Sequence, residues 1–175
     1  MRSDLFPGPT SHPVHSKDLE VIDEQRYPDA PSAAEALALD VASRLWAAIA
    51  ARKQASLVVS GGKSPLPFFA ALRTQALDWS KVWITLADER WVDPASPDSN
   101  EALVREHLLR DNAAAARFVG LKTPGQTPEE GWAAANESGC QLPKPFDAVV
   151  RGMGADGHTA SLFPVMPGLM DALRP

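Results

Sequence analysis

The sequence holds one cysteine, Cys140, in 175 residues. No internal disulfide can staple the chain, which fits a reducing compartment. Net positive charge is missing too: the formal balance is −5, which argues against broad electrostatic binding to nucleic acid, although a local basic patch could survive it. No window approaches the roughly 18 apolar residues of a membrane span. The opening MRSDLFPGPTSHPVHS lacks the apolar run of a secretory signal. These absences point to a cytoplasmic protein with neither a nucleic-acid nor a membrane partner. Chemical signatures are missing as well. There is no H-E-x-x-H or paired-cysteine spacing for a metal, no G-x-S-x-G nucleophile elbow and no Walker A loop. Internal repeats, low-complexity tracts and signs of a second domain are absent.

What is present is an ordinary globular composition, 45% hydrophobic and 22% charged, at a length that buries one core. Residues 1–16, with three prolines and two histidines, read as a flexible arm, with metal binding by His12 and His15 as the alternative. Residues 17–175 read as a single α/β domain.

Along that domain helical and strand patterns alternate. Ser32 and Glu35 form a capping box that opens a helix, whose apolar face follows Leu37, Val41, Leu45, Ala48 and Ile49. Ser56–Ser60 is a short β-branched run stopped by Gly61 and Gly62. Pro65 fits the first turn of a helix carrying Phe68, Phe69 and Leu72. Lys81–Ala87 reads as the second strand, Asn100–Leu109 as a helix and Arg117–Leu121 as the third strand. Thr127 and Glu130 repeat the capping signal, with Pro128 at the first helical position, and Phe146–Val150 makes the fourth strand. Strands separated by helices imply parallel pairing, hence an open layered sheet with helices on both faces.

Three chemically rich segments then share a placement, because each follows a strand. In open parallel sheets ligands bind beyond the carboxyl ends of the strands. The first segment, Ser60-Gly61-Gly62-Lys63-Ser64-Pro65, suits phosphate: the glycines let the backbone approach, a helix begins behind them, and Lys63 and Ser64 add donors. A plain strand-to-helix turn explains it equally. The second, Asp88-Glu89-Arg90-Trp91, is either a solvated turn or a carboxylate and a guanidinium dividing proton handling and anion binding.

The third, GMGADGHTASLFP at 152–164, begins by matching the dinucleotide fingerprint G-x-G-x-x-G. That fingerprint needs a complete βαβ unit and an acidic residue about 20 positions on. The stretch after Gly157 is too short and carries Pro164, Pro167 and Gly168, so nucleotide binding does not fit. What remains is His158 on a turn containing Gly154 and Gly157, with Asp156 or Asp88 to steady its ring. The competing reading has His158 capping a helix over TASLF. His107 reads as a surface or half-buried packing residue.

Taken together SGGKSP, LADERWV, PDSN and GMGADGHTASLFP resemble the 6-phosphogluconolactonase family, in order from about Glu35 to the end. The resemblance implies a Rossmann-like α/β fold, similar to glucosamine-6-phosphate isomerase/deaminase. It also implies hydrolysis of 6-phospho-D-glucono-1,5-lactone to 6-phosphogluconate without metal or cofactor. By position it implies His158 as the base that activates water, Asp156 beside it, Arg90 steadying the lactone oxygen or substrate charge, and Asp88 where the deaminases keep an aspartate. Ser60, Gly61, Gly62 and Ser64 would cradle the phosphate. The partner is then a small sugar-phosphate lactone. Arg151 departs from the family, which has an apolar residue there. Family members continue past the equivalent of Pro175, so the resemblance implies a chain incomplete at its C-terminus, monomeric but open to self-association through uncovered surface. Three rival functions remain: an amino-sugar phosphate deaminase, a non-catalytic sugar-phosphate sensor and an inactive fragment. The run TASLFP, in place of apolar-Asn-Glu-Pro, disfavours the deaminase.

Overall fold

The computed structural model describes residues 23–174, and the arm expected at 1–16, with His12 and His15, lies outside the described residues. Helix α1 spans Ala30–Arg52 and leads to strand β1, Ala55–Val59. Helix α2 (Leu66–Leu72) and strand β2 (Val82–Leu86) follow, then α3 (Asn100–His107) and β3 (Arg117–Val119). The remainder is α4 (Pro128–Gly139), β4 (Ala148–Val150) and a short α5 (Leu169–Ala172). All four expected strands form; β1 begins one residue before its expected span, at Ala55, and the other three lie inside theirs. β1, β2 and β3 stop one or two residues short of their expected ends, whereas β4 ends at Val150 as expected.

Helix α1 starts earlier than the sequence suggests. Its cap is Asp29, whose carboxylate accepts the Ser32 N–H at 2.8 Å, rather than Ser32 itself. Proline has no N–H to lose in a first turn, so Pro31 sits inside the helix and passes the capping role back to Asp29. At α4 the expectation holds: Thr127 caps, accepting the Glu130 N–H at 3.3 Å.

Every pairing is parallel and the strand order is β3-β2-β1-β4. Parallel register aligns Leu57 with Ile84 and Ala148, and Val59 with Leu86 and Val150. These residues share one face and join Leu45, Phe69, Leu72, Val104 and Leu108 from α1, α2 and α3 in the core. Burying each large apolar side chain contributes roughly 1.5–3 kcal/mol, so this face holds most of the fold's stability. The opposite face is covered more loosely. Val58, Thr85 and Val149 look across a groove of about 540 Å³ toward Gly139 at the end of α4 and toward Leu142. Val149, on the edge strand β4, is 51% exposed.

The helix considered over TASLF does not form. Thr159 and Leu162 instead exchange backbone hydrogen bonds of 3.3 and 3.0 Å as an isolated antiparallel bridge. Ala160 between them has φ +50°. A two-residue loop of this kind calls for positive φ at its first central position, and Pro164 just beyond leaves no room for helical hydrogen bonds. His158 therefore caps nothing.

Candidate active site

Sheet order locates the site. From β1 the chain moves outward to β2 and β3, then returns to place β4 on the other side of β1. Loops leaving β1 and β4 thus diverge at a topological switch point, where a crevice opens beyond the strand ends. A cavity of about 520 Å³ lies there, lined by the loops after β1, β2 and β4. Ser60, Gly61, Gly62 and Ser64 line it from the first loop, Asp88 and Arg90 from the second, and Gly154 and His158 from the third. Lys63, Asp156 and Gly157 do not line it. Lys63 is exposed, and Asp156 acts from behind His158.

The glycines of the third loop serve the histidine. The Gly157 N–H donates to Gly154 O at 2.9 Å, and the Gly154 N–H to His158 O at 2.8 Å, closing a tight turn. Gly157 takes φ +85°, a conformation glycine adopts without steric cost. At Gly154 the constraint is space, since a Cβ there would stand 2.2 Å from Cε1 of His158. The imidazole lies flat against this turn with Nδ1 2.5 Å from Asp156 Oδ1. Its other face stacks on Phe163, with ring centroids 4.7 Å apart. The hydrogen bond from His158 is the chief reason the Asp156 carboxyl lies below its ordinary range, and the His158 backbone N–H adds to it. An ionised Asp156 accepts the hydrogen bond from Nδ1–H and leaves Nε2 as the ring's basic nitrogen.

The second loop divides its side chains by direction. Asp88 accepts a 2.8 Å hydrogen bond from Ser161 Oγ, which ties this loop to the histidine loop. Arg90 donates from Nη1 to Asp98 O at 2.8 Å. Trp91 turns away, donating to Gly125 O at 3.0 Å and packing on Gly131 of α4, where a Cβ would come within 2.2 Å of the indole.

Glu89, Asn100 and Ser161 were not singled out from sequence. The Glu89 carboxylate accepts from Ser99 Oγ (3.0 Å) and from the N–H groups of Asn100 and Glu101 (each 2.8 Å), so it holds the first turn of α3. Asn100 is buried and its Nδ2 donates to Asp88 O at 2.9 Å. Its Oδ1 has no partner and lies where a Cβ on Gly61 would have to go, 1.7 Å away. Asn100 thereby locks the β1 and β2 loops together. Ser99 carried a sequence signal, being a capping residue before a helix. Glu89 stood in a charged segment, but its hold on α3 carried no sequence signal, because its partners come from another segment.

A family model described as glucosamine-6-phosphate isomerases/6-phosphogluconolactonase matches residues 28–174. The chain belongs to that family. It is 52% identical over 151 residues to a 6-phosphogluconolactonase of Pseudomonas aeruginosa, covering 86% of this chain and 63% of the relative. It is 55% identical over 146 residues to one of Rhizobium meliloti, covering 83% and 63%. A crystal structure of a 6-phosphogluconolactonase from Shewanella baltica superposes with a TM-score of 0.79 at 53% identity, over 83% of this chain and 63% of that one. The chain therefore spans about 63% of the length of these relatives. That match fits the Rossmann-like parallel sheet and the strand-end cavity. Among the described residues no three His, Cys, Asp or Glu side chains cluster to hold a metal ion, and no helix is long and apolar enough to cross a membrane.

Proposed function

We propose that this protein hydrolyses 6-phospho-D-glucono-1,5-lactone to 6-phosphogluconate in the cytoplasm. The observation that carries the reading is the Asp156–His158 contact at one wall of the cavity, with Nδ1 engaged and Nε2 left to take a proton. The names of the relatives supply the substrate.

In this reading His158 Nε2 removes a proton from water as the water oxygen attacks the lactone carbonyl carbon. Negative charge moves to the carbonyl oxygen, where the Arg90 guanidinium stabilises it. Collapse of the tetrahedral intermediate breaks the bond to the ring oxygen, which takes the proton back from His158. The product is an open-chain carboxylic acid with a free hydroxyl, and the acid loses its remaining proton to solvent to become the carboxylate. Asp156 keeps the ring oriented throughout. Asp88, fixed by Ser161, orients the water or a sugar hydroxyl. Ser60, Gly61, Gly62 and Ser64 line one end of the cavity and hold the phosphate there.

The test is lactone opening measured against its spontaneous background, in the wild-type chain and in His158→Ala and His158→Gln. Loss of a general base typically costs about 10²–10⁴-fold. A variant within threefold of wild type would reject His158 as the base. A wild-type chain no faster than background would reject the activity.

A further inference from the structure

Arg151 directly follows β4 and lines the cavity. The last paired residues of β1 and β4 are Val59 and Val150, and the Ser60 N–H still donates to Val150 O at 3.1 Å. One step further along the same register, Arg151 stands opposite Ser60, and neighbouring strands lie about 4.8 Å apart. Both residues line the cavity at the switch point. The sequence placed a phosphate near Ser60 through the start of the following helix. That helix, α2, has only seven residues and no side-chain cap at its start, and Lys63 is not part of the wall. The arginines among the described residues that line the cavity are Arg90 and Arg151.

The other charged side chains of the cavity wall are engaged. Asp88 accepts from Ser161, Arg90 donates to Asp98 O and His158 contacts Asp156. Arg151 has no hydrogen-bonded or ion-paired side-chain partner among the described residues. A guanidinium left free in a concave wall, beside two serine hydroxyls and a glycine loop, matches the geometry of a phosphate dianion, which it can hold through two parallel N–H···O bonds.

We propose that Arg151 binds the phosphate of the substrate, facing Ser60 and Ser64 across the crevice, and so sets the preference for phosphorylated over unphosphorylated sugar acids. This rests on the lactonase reading for the identity of the sugar, but not for the phosphate.

The experiment uses the full chain and two variants, Arg151→Leu and Arg151→Lys, with inorganic phosphate, 6-phosphogluconate and gluconate as probes in calorimetric titrations. Charge-assisted hydrogen bonds of this kind contribute enough that their loss weakens binding by roughly tenfold or more. Arg151→Leu should weaken phosphate and 6-phosphogluconate by about that factor and leave gluconate within twofold. Arg151→Lys should recover part of the affinity. In the lactone assay Arg151→Leu should raise KM and keep kcat within threefold. Because Arg151 is exposed and unpaired, melting should match wild type; should Arg151→Leu fail to fold, Arg151→Gln replaces it in the same titrations. Equal phosphate and 6-phosphogluconate affinity in wild type and variant overturns the proposal, as does equal weakening of gluconate. A wild-type chain that binds neither phosphate nor 6-phosphogluconate overturns it too. A wild-type chain that binds both without opening the lactone overturns only the lactonase reading.

Discussion

The imidazole of His158 occupies the space where any side chain on Gly154 would begin, with Cε1 2.2 Å and Nδ1 2.3 Å from the ideal Cβ position. Gly154→Ala should therefore push the ring off its turn and break the Asp156 contact while the sheet stays intact. We expect lactone hydrolysis to fall by about 10²-fold, the lower end of a lost general base, with an unchanged melting profile. Activity within threefold of wild type would show that the ring has another productive seat.

Asp156 gives a prediction with a definite sign. Its carboxyl lies below the ordinary range, first through the His158 side chain and then through the His158 backbone N–H. A depressed folded-state pKa means the contact stabilises the turn at pH above the ordinary carboxylate value. That stabilisation is lost as pH falls through the lower folded-state value. In His158→Ala the largest cause is gone, so the Asp156 carboxyl should titrate at higher pH than in wild type. Carboxyl-carbon NMR reads this directly, and an unshifted titration would refute the assignment.

Gly61 and Gly62 should respond differently to alanine. At Gly62 a Cβ meets nothing within 4 Å, but φ is +89°, so Gly62→Ala costs about 1–2 kcal/mol of backbone strain. At Gly61 the Cβ would overlap Asn100, which must leave its buried place and release Asp88 O. Gly61→Ala should lose more melting temperature than Gly62→Ala, and more activity as well. The reverse order would mean that Asn100 does not join the two loops.

Glu89→Ala leaves three donors at the start of α3 without their carboxylate. Removing a cap of this type costs about 0.5–2 kcal/mol. Because Arg90 is the next residue, kcat should fall along with the melting temperature, and Glu89→Gln should recover only part of each. Normal kcat in a destabilised Glu89→Ala chain would separate the cap from the site.

Among the described residues β4 pairs only with β1, and Val149 and Phe146 are exposed beside it. An unpaired edge with apolar neighbours favours chain-to-chain pairing. Val149→Lys should reduce concentration-dependent association in sedimentation without lowering stability. Identical sedimentation in both chains would put any association elsewhere.

The sequence made the sheet legible because short β-branched runs such as SLVV and WITL are buried on both faces and read as strands at any register. The three loops were legible because glycine and charge cluster where strands end. Helix starts were less so: Asp29 and Ser32 both cap well, and only the placement of Pro31 inside the first turn decides between them. The bridge at Thr159–Leu162 was hidden, since its apolar content suits a helix and only Ala160 at positive φ reveals the loop. Asn100 and Glu89 stayed silent for a different reason. Their value lies in contacts with Gly61 and with α3 that only the folded chain creates.

The hold of Glu89 on the first turn of α3 has a consequence in time. Helix ends fray faster than strands open, and local opening spans a wide range of free energies within one protein. Each time the first turn of α3 unwinds, Glu89 loses its donors, and the backbone that carries Asp88 and Arg90 is free to drift. The lifetime of the assembled cavity is then set by a helix terminus and not by the core. Amide exchange at Asn100 and Glu101 would clock it, and ligands that favour the closed cavity would slow that exchange from a distance.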